Sequence, residues 1–106
     1  MAINWTQEVE KYREELIEKT KQLLAIPSVR DDKSAGPGAP FGKEVAAALN
    51  FMLSLGEKSG FQTKNVDGYA GHVEYGEGKE LIGVLSHLDV VPPGDGWSSP
   101  PFEPQI

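Results

Sequence analysis

The sequence predicts an α/β fold with two helices and about three strands of a mixed sheet. Three observations support this prediction: two segments with apolar residues at helical spacing, two short strand-like segments flanking Asp67-Gly68, and a continuous apolar run at 81–86. A continuously apolar strand is typical of a strand buried on both faces. Because the other predicted elements hardly cover both faces, we expect the chain to be the truncated N-terminal part of a larger domain.

The first helix is predicted over residues 4–25. Asn4 is a suitable N-cap, and Gln7 stands three residues later, as in a capping box. Pro27 ends the helix because the residue before a proline avoids the helical region. The apolar residues form one stripe at helical spacing, which we expect to face the core; they are Trp5, Val9, Tyr12, Leu16 and Leu23.

The remaining elements follow a loop rich in Pro and Gly at 27–40. A second helix is predicted over 41–58, and Gly60 closes it, since a glycine after the last turn commonly ends a helix. Its apolar face consists of Val45, Ala48, Leu49, Met52 and Leu55. Strands are predicted at about 61–66 and 70–75, joined by the hairpin-type turn pair Asp67-Gly68, and the apolar run supplies a third strand.

The composition excludes several functional classes. The 106 residues include 10 basic and 16 acidic residues without a basic patch, which argues against a nucleic-acid partner. The chain has no cysteine, so any metal must be held by His, Asp or Glu side chains. The N-terminus does not resemble a signal peptide, and no run is long enough to span a membrane. We therefore expect a cytoplasmic protein without a membrane partner.

His87 and Asp89 are the candidate site residues. They lie two positions apart where the apolar run meets a Pro- and Gly-rich segment, and residues i and i+2 of a strand share one face. A carboxylate beside a metal-binding histidine fixes its tautomer and raises its basicity. A histidine that is merely hydrogen-bonded at a strand end remains an alternative. Ser86 is excluded as a nucleophile activated by His87, because adjacent strand residues face opposite ways.

A longer pattern around His87 resembles a known family. The motifs look like the first signature of the di-zinc aminoacylase/carnosinase metallopeptidase family, which also holds N-acyl-amino-acid deacylases. Within that family the whole chain is similar to PepV-like bacterial dipeptidases. The signature motifs are Ser86-His87-Leu88-Asp89-Val90-Val91-Pro92, Gly94-Asp95-Gly96-Trp97 and Pro100-Pro101-Phe102, and the wider similarity rests on the N-terminal helix, Ile26-Pro27-Ser28-Val29, Phe41-Gly42 and Phe102-Glu103-Pro104.

The resemblance implies a zinc dipeptidase that hydrolyses unblocked dipeptides through a metal-activated water. His87 matches a zinc ligand, and Asp89 matches the catalytic-site carboxylate that orients it. Two zinc ions are expected in a complete site. The general base, the other ligands, the lid domain and the substrate-binding groups are expected outside residues 1–106, which would form the N-terminal segment of the catalytic domain.

Two alternatives remain open for the function. One is a related N-acyl-amino-acid deacylase or desuccinylase of the same family. The other is a non-catalytic fragment that acts only as an interaction domain and self-associates through its uncovered apolar strand. In every case we expect this chain alone to be inactive as a peptidase, because one histidine and its orienting aspartate cannot hold two zinc ions.

Overall fold

The computed structural model describes residues 2–106 and has helices followed by a β-hairpin. The α/β class predicted from the sequence is confirmed. No helix within the described range is long and apolar enough to cross a membrane. The elements are α1 (Trp5–Glu10), α2 (Arg13–Leu24), a 3-10 turn (Asp32–Ser34), α3 (Lys43–Lys58), β1 (Gln62–Val66) and β2 (Ala70–Glu74).

The predicted first helix is present but divided into α1 and α2. The side chain of Asn4 caps α1 by accepting a hydrogen bond from the Gln7 amide at 3.2 Å. Tyr12 interrupts the helix: its φ and ψ are −103° and 2°, and its amide donates to the carbonyl of Val9, three residues back. No Pro or Gly marks this position, so the apolar spacing alone predicted one continuous helix. Helix α2 ends at Leu24, shortly before Pro27, as expected.

The apolar stripe of this helical segment does not face a core, contrary to the prediction. Trp5, Val9, Tyr12 and Leu16 are all more than half exposed, whereas Leu23 is half-buried. Helix α2 has only a small contact with α3, and no residue of α1 is buried. Helical spacing identified an apolar face that is able to pack, but no element among residues 2–106 covers it.

Helix α3 matches its prediction closely. Its C-terminus forms a Schellman motif, in which the Gly60 amide donates to Glu57 and the Phe61 amide donates to Gly56, both at 3.0 Å. Gly60 has φ of +87°, the left-handed conformation that this motif requires. At the N-terminus, the hydroxyl of Ser34 accepts a hydrogen bond from the Lys43 amide at 3.0 Å.

Strands β1 and β2 form the predicted antiparallel hairpin, with Val66 opposite Ala70. Asp67 and Gly68 have φ of 53° and 78°, and the Tyr69 amide donates to the Val66 carbonyl at 2.9 Å. Positive φ at both central residues is characteristic of a type I′ turn, which Asp-Gly favours. The amide of Gly68 also donates to the side chain of Asn65 at 2.7 Å.

The core lies between α3 and this hairpin. Its buried apolar side chains are Ala48 and Leu53, and the backbone of Gly56 lies against Val73 of β2. A Cβ at Gly56 would stand 2.9 Å from a Val73 methyl carbon, so glycine permits the close approach of helix and strand. The buried face of α3 is therefore rotated slightly from the predicted one and is centred on Ala48, Leu53 and Gly56.

The third predicted strand is absent from the described part of the chain, and this prediction is corrected. Residues 81–89 have no regular secondary structure, and the sheet contains only β1 and β2. Leu81, Ile82, Val84 and Leu85 are between 85% and 99% exposed. A strand requires neighbouring main-chain groups to pair with its own. The hairpin strands pair with each other, and neither extends along the apolar run.

The chain as a whole buries little surface. Its accessible area is 9018 Å², whereas a compact monomer of this mass exposes about 5,800 Å². Its radius of gyration is 16.5 Å, compared with about 13 Å for a compact domain of this length. The unpaired apolar run and the exposed helical stripe both contribute to this excess.

Candidate metal-binding site

The candidate site lies on an extended segment, residues 87–91, that runs beside the chain following α2. Val29 and Val90 form an isolated parallel bridge. The Val90 amide donates to the Ser28 carbonyl at 3.0 Å, and the Ser28 hydroxyl donates to the Leu88 carbonyl at 2.7 Å. These contacts join two segments 60 residues apart and fix the backbone on which His87 and Asp89 stand.

His87 and Asp89 lie side by side. The Nδ1 atom of His87 is 2.9 Å from the main-chain carbonyl oxygen of Asp89 and 3.3 Å from its carboxylate Oδ1. A carbonyl oxygen only accepts hydrogen bonds, so Nδ1 must carry the proton that is shared with it. In the neutral ring, Nε2 then has a free lone pair. Both side chains are exposed, so Nε2 is accessible to a ligand.

His87 and Asp89 are close together for a different reason from the one predicted. The sequence predicted that His87 and Asp89 share one face of a strand, but residues 87–89 form no strand. The contact instead joins the imidazole to both the backbone and the side chain of the residue two positions later. His72, the other histidine, lies on β2 opposite Lys64, within the hairpin.

A cleft of about 660 Å³ adjoins the pair and is named here the His87 cleft. Residues from segments 23–28, 87–93 and 97–105 line it, and most of them are apolar. Trp97 is fixed on one wall by a 2.9 Å hydrogen bond from its Nε1 to the carbonyl of Pro93. Trp97, Pro100, Pro101 and Phe102 thus border the same cavity as His87 and Asp89.

The described residues do not form a complete metal site. No group of three or more His, Asp or Glu side chains in residues 2–106 is arranged to hold a metal ion. His87 supplies one nitrogen donor, and Asp89 contacts the opposite ring nitrogen. This donor set fits one ligand of a zinc site together with the carboxylate that commonly supports it.

Two site-lining residues were not identified as functional from the sequence. Glu103 lines the His87 cleft, and Ser28 holds the backbone beneath His87 through its bond to the Leu88 carbonyl. Ser28 belongs to the Ile26-Pro27-Ser28-Val29 stretch, so its motif was visible in the sequence. Its contact with Leu88 was not, because pairing across 60 residues depends on the fold.

Comparisons with known proteins give close relatives but no family model that matches. A Bacillus subtilis (strain 168) protein named "Putative dipeptidase YtjP" is 58% identical over 104 residues, covering 98% of this chain. A Staphylococcus epidermidis (ATCC 12228) protein named "Putative dipeptidase" is 46% identical over 102 residues, or 96% of the chain. A similarly named Staphylococcus aureus (USA300) protein also shows 46% identity over 102 residues. The chain spans 22% of the length of each of these curated relatives.

Proposed function

We propose that this chain is the N-terminal segment of the catalytic domain of a zinc-dependent dipeptidase. We place it with the PepV-like enzymes of the aminoacylase/carnosinase family, on the motifs around His87. The observation that carries the proposal is the contact of His87 Nδ1 with the carbonyl and carboxylate of Asp89, at 2.9 and 3.3 Å. Relatives that share 46–58% of these residues and are named as dipeptidases support the same substrate class.

In this proposal His87 binds one of two zinc ions through Nε2. Asp89 keeps the proton on Nδ1 and holds the ring in one orientation, because its carbonyl and carboxylate both face that atom. The negative charge of Asp89 also makes the imidazole a stronger electron-pair donor to the metal through Nε2. Asp89 thus acts as a positioning residue rather than as a ligand.

Bound zinc would lower the pKa of a coordinated water and polarise the scissile carbonyl of the peptide. The general base, the further ligands, the groups that recognise the substrate termini and the lid domain would come from outside these 106 residues. The apolar walls of the His87 cleft, including Trp97 and Phe102, would contact the substrate's side chains.

The test is hydrolysis by the full-length product of the gene that encodes this chain. We expect turnover of unblocked dipeptides that stops on chelation and returns with zinc. His87→Ala removes the proposed ligand and is expected to abolish turnover, whereas His72→Ala changes the other histidine of the chain and retains it. Activity confined to N-acyl amino acids would favour the deacylase alternative. A metal-loaded protein that hydrolyses neither class would overturn the proposal.

A further inference from the structure

Among residues 2–106, Ser28 is the one polar residue that is buried. Its exposed fraction is 4%. Burying a hydroxyl is unfavourable unless it forms a hydrogen bond. The Oγ of Ser28 meets this requirement by donating to the carbonyl of Leu88 at 2.7 Å. This buried hydroxyl therefore binds the backbone of Leu88, the residue between His87 and Asp89.

Ser28 contacts the site segment twice. Besides the bond from Oγ to Leu88, its carbonyl accepts from the Val90 amide at 3.0 Å. The two contacts bracket Asp89 along the chain, one on the residue before it and one on the residue after it. The peptide units on both sides of Asp89 are thereby fixed, including the carbonyl of Asp89 that faces the His87 imidazole.

The backbone of Ser28 is itself constrained. The Ser28 amide donates to the Ile26 carbonyl at 2.8 Å, and the Val29 amide donates to the Pro27 carbonyl at 2.7 Å. Pro27 has a fixed φ, which reduces the freedom of the turn after α2. The hydroxyl of Ser28 is thus held at one position relative to α2 and is able to serve as an anchor for a segment distant in sequence.

We infer that Ser28 is a positioning residue that fixes the tautomer and orientation of His87 through the backbone of Leu88–Val90. The expected effect on zinc binding rests on the proposed function, in which His87 is a zinc ligand. The positioning itself requires no metal. Ser28 binds the Leu88 carbonyl, and the carbonyl of the next residue, Asp89, contacts Nδ1 of His87.

The experiment compares Ser28→Ala and Ser28→Thr with Ser59→Ala in the full-length gene product. Ser59 is the matched control, because its hydroxyl also donates to a main-chain carbonyl, that of Leu55 at 2.9 Å, but at the end of α3. The first readout is the fraction of neutral His87 that is protonated on Nδ1 in the metal-free protein, measured by nitrogen-15 NMR and assigned with His87→Gln. The second readout is zinc affinity, measured by competition with a chelator.

We expect Ser28→Ala to lower the Nδ1-protonated fraction and to weaken zinc binding roughly three- to tenfold, below the 10- to 100-fold typical of direct partners of a ligand. Ser28→Thr keeps the hydroxyl and is expected to restore both readouts, while Ser59→Ala leaves both unchanged. If Ser28→Ala does not fold, comparison of Ser28→Thr with Ser28→Val isolates the hydroxyl at nearly matched shape.

The two readouts separate this inference from the proposed function. A protein that binds zinc but shows no change in either readout for Ser28→Ala overturns the positioning role and leaves the dipeptidase proposal intact. A protein that binds no zinc, yet shifts its His87 tautomer in Ser28→Ala, retains the positioning role and contradicts the metal site. Equal effects of Ser28→Ala and Ser59→Ala would also overturn the inference, because they would indicate general destabilisation.

Discussion

The imidazole of His87 contacts Asp89 at two acceptors: Nδ1 lies 2.9 Å from the main-chain carbonyl and 3.3 Å from the carboxylate. The carbonyl contact does not depend on the side chain at position 89. Removal of the carboxylate therefore leaves a partner for Nδ1, whereas removal of the imidazole leaves no nitrogen donor at this position. This difference gives the two residues distinct expected phenotypes.

Asp89→Ala is expected to weaken zinc binding by the full-length gene product about tenfold, the lower end of the effect of losing a ligand's partner. The remaining carbonyl limits the loss. His87→Ala is expected to weaken binding further, because it removes a donor atom. Chelator competition measures both affinities. Asp95→Ala, an exposed acidic residue of the following loop, is the control and should bind as the wild type does. Equal losses for Asp89→Ala and His87→Ala would contradict the two-acceptor arrangement.

The exposed apolar run at 81–86 is expected to drive self-association of the 106-residue chain. Exposed main-chain groups beside Leu, Ile and Val side chains are a ready template for strand pairing between copies. Val84→Lys adds a charge within the run and should shift the chain towards monomer in sedimentation equilibrium. Ile106→Lys is the control, since Ile106 is 95% exposed, compared with 93% for Val84, but lies outside the run. A wild-type chain that stays monomeric at all concentrations would contradict this expectation.

The core between α3 and the hairpin is expected to dominate the stability of the isolated chain. Leu53 is 9% exposed, so Leu53→Ala should lower the free energy of unfolding by about 2–4 kcal/mol. Leu16 is 60% exposed, and Leu16→Ala should change the free energy of unfolding by less than about 0.5 kcal/mol. Urea denaturation followed by circular dichroism measures both. Equal losses would indicate that the stripe of α1 and α2 is packed in solution.

The purified 106-residue chain is expected to hydrolyse no dipeptide, even with added zinc. The described residues offer no group of three potential ligands, so a metal would be held weakly and without a general base. A sensitive assay with several unblocked dipeptides, run beside the full-length gene product as a positive control, measures this. Turnover that co-purifies with the chain and disappears in His87→Ala would show that the expectation is wrong.

Local sequence signals predicted the elements whose stability is local. The cap at Asn4, the closure of α3 at Gly60 and the hairpin turn at Asp67-Gly68 each depend on residues within a few positions of one another. Helical spacing also predicted α3 nearly to its ends, because its apolar face has the hairpin to pack against.

Features that depend on distant partners were not predictable in the same way. The apolar run at 81–86 has the composition of a buried strand, but a strand forms only where another strand pairs with it. The stripe containing Trp5 and Leu16 is similarly exposed because the described residues do not cover it. At the site, spacing predicted the proximity of His87 and Asp89, whereas the contact of Ser28 with Leu88 appears only once two distant segments are brought together.

The most direct test of the central claim is anomalous diffraction at the zinc edge from crystals of the full-length gene product. We predict an anomalous peak at about 2.0–2.1 Å from Nε2 of His87. The Nδ1 atom should remain in contact with Asp89. A zinc ion bound at Nδ1, or metal sites that exclude His87 altogether, would contradict the role assigned to this residue.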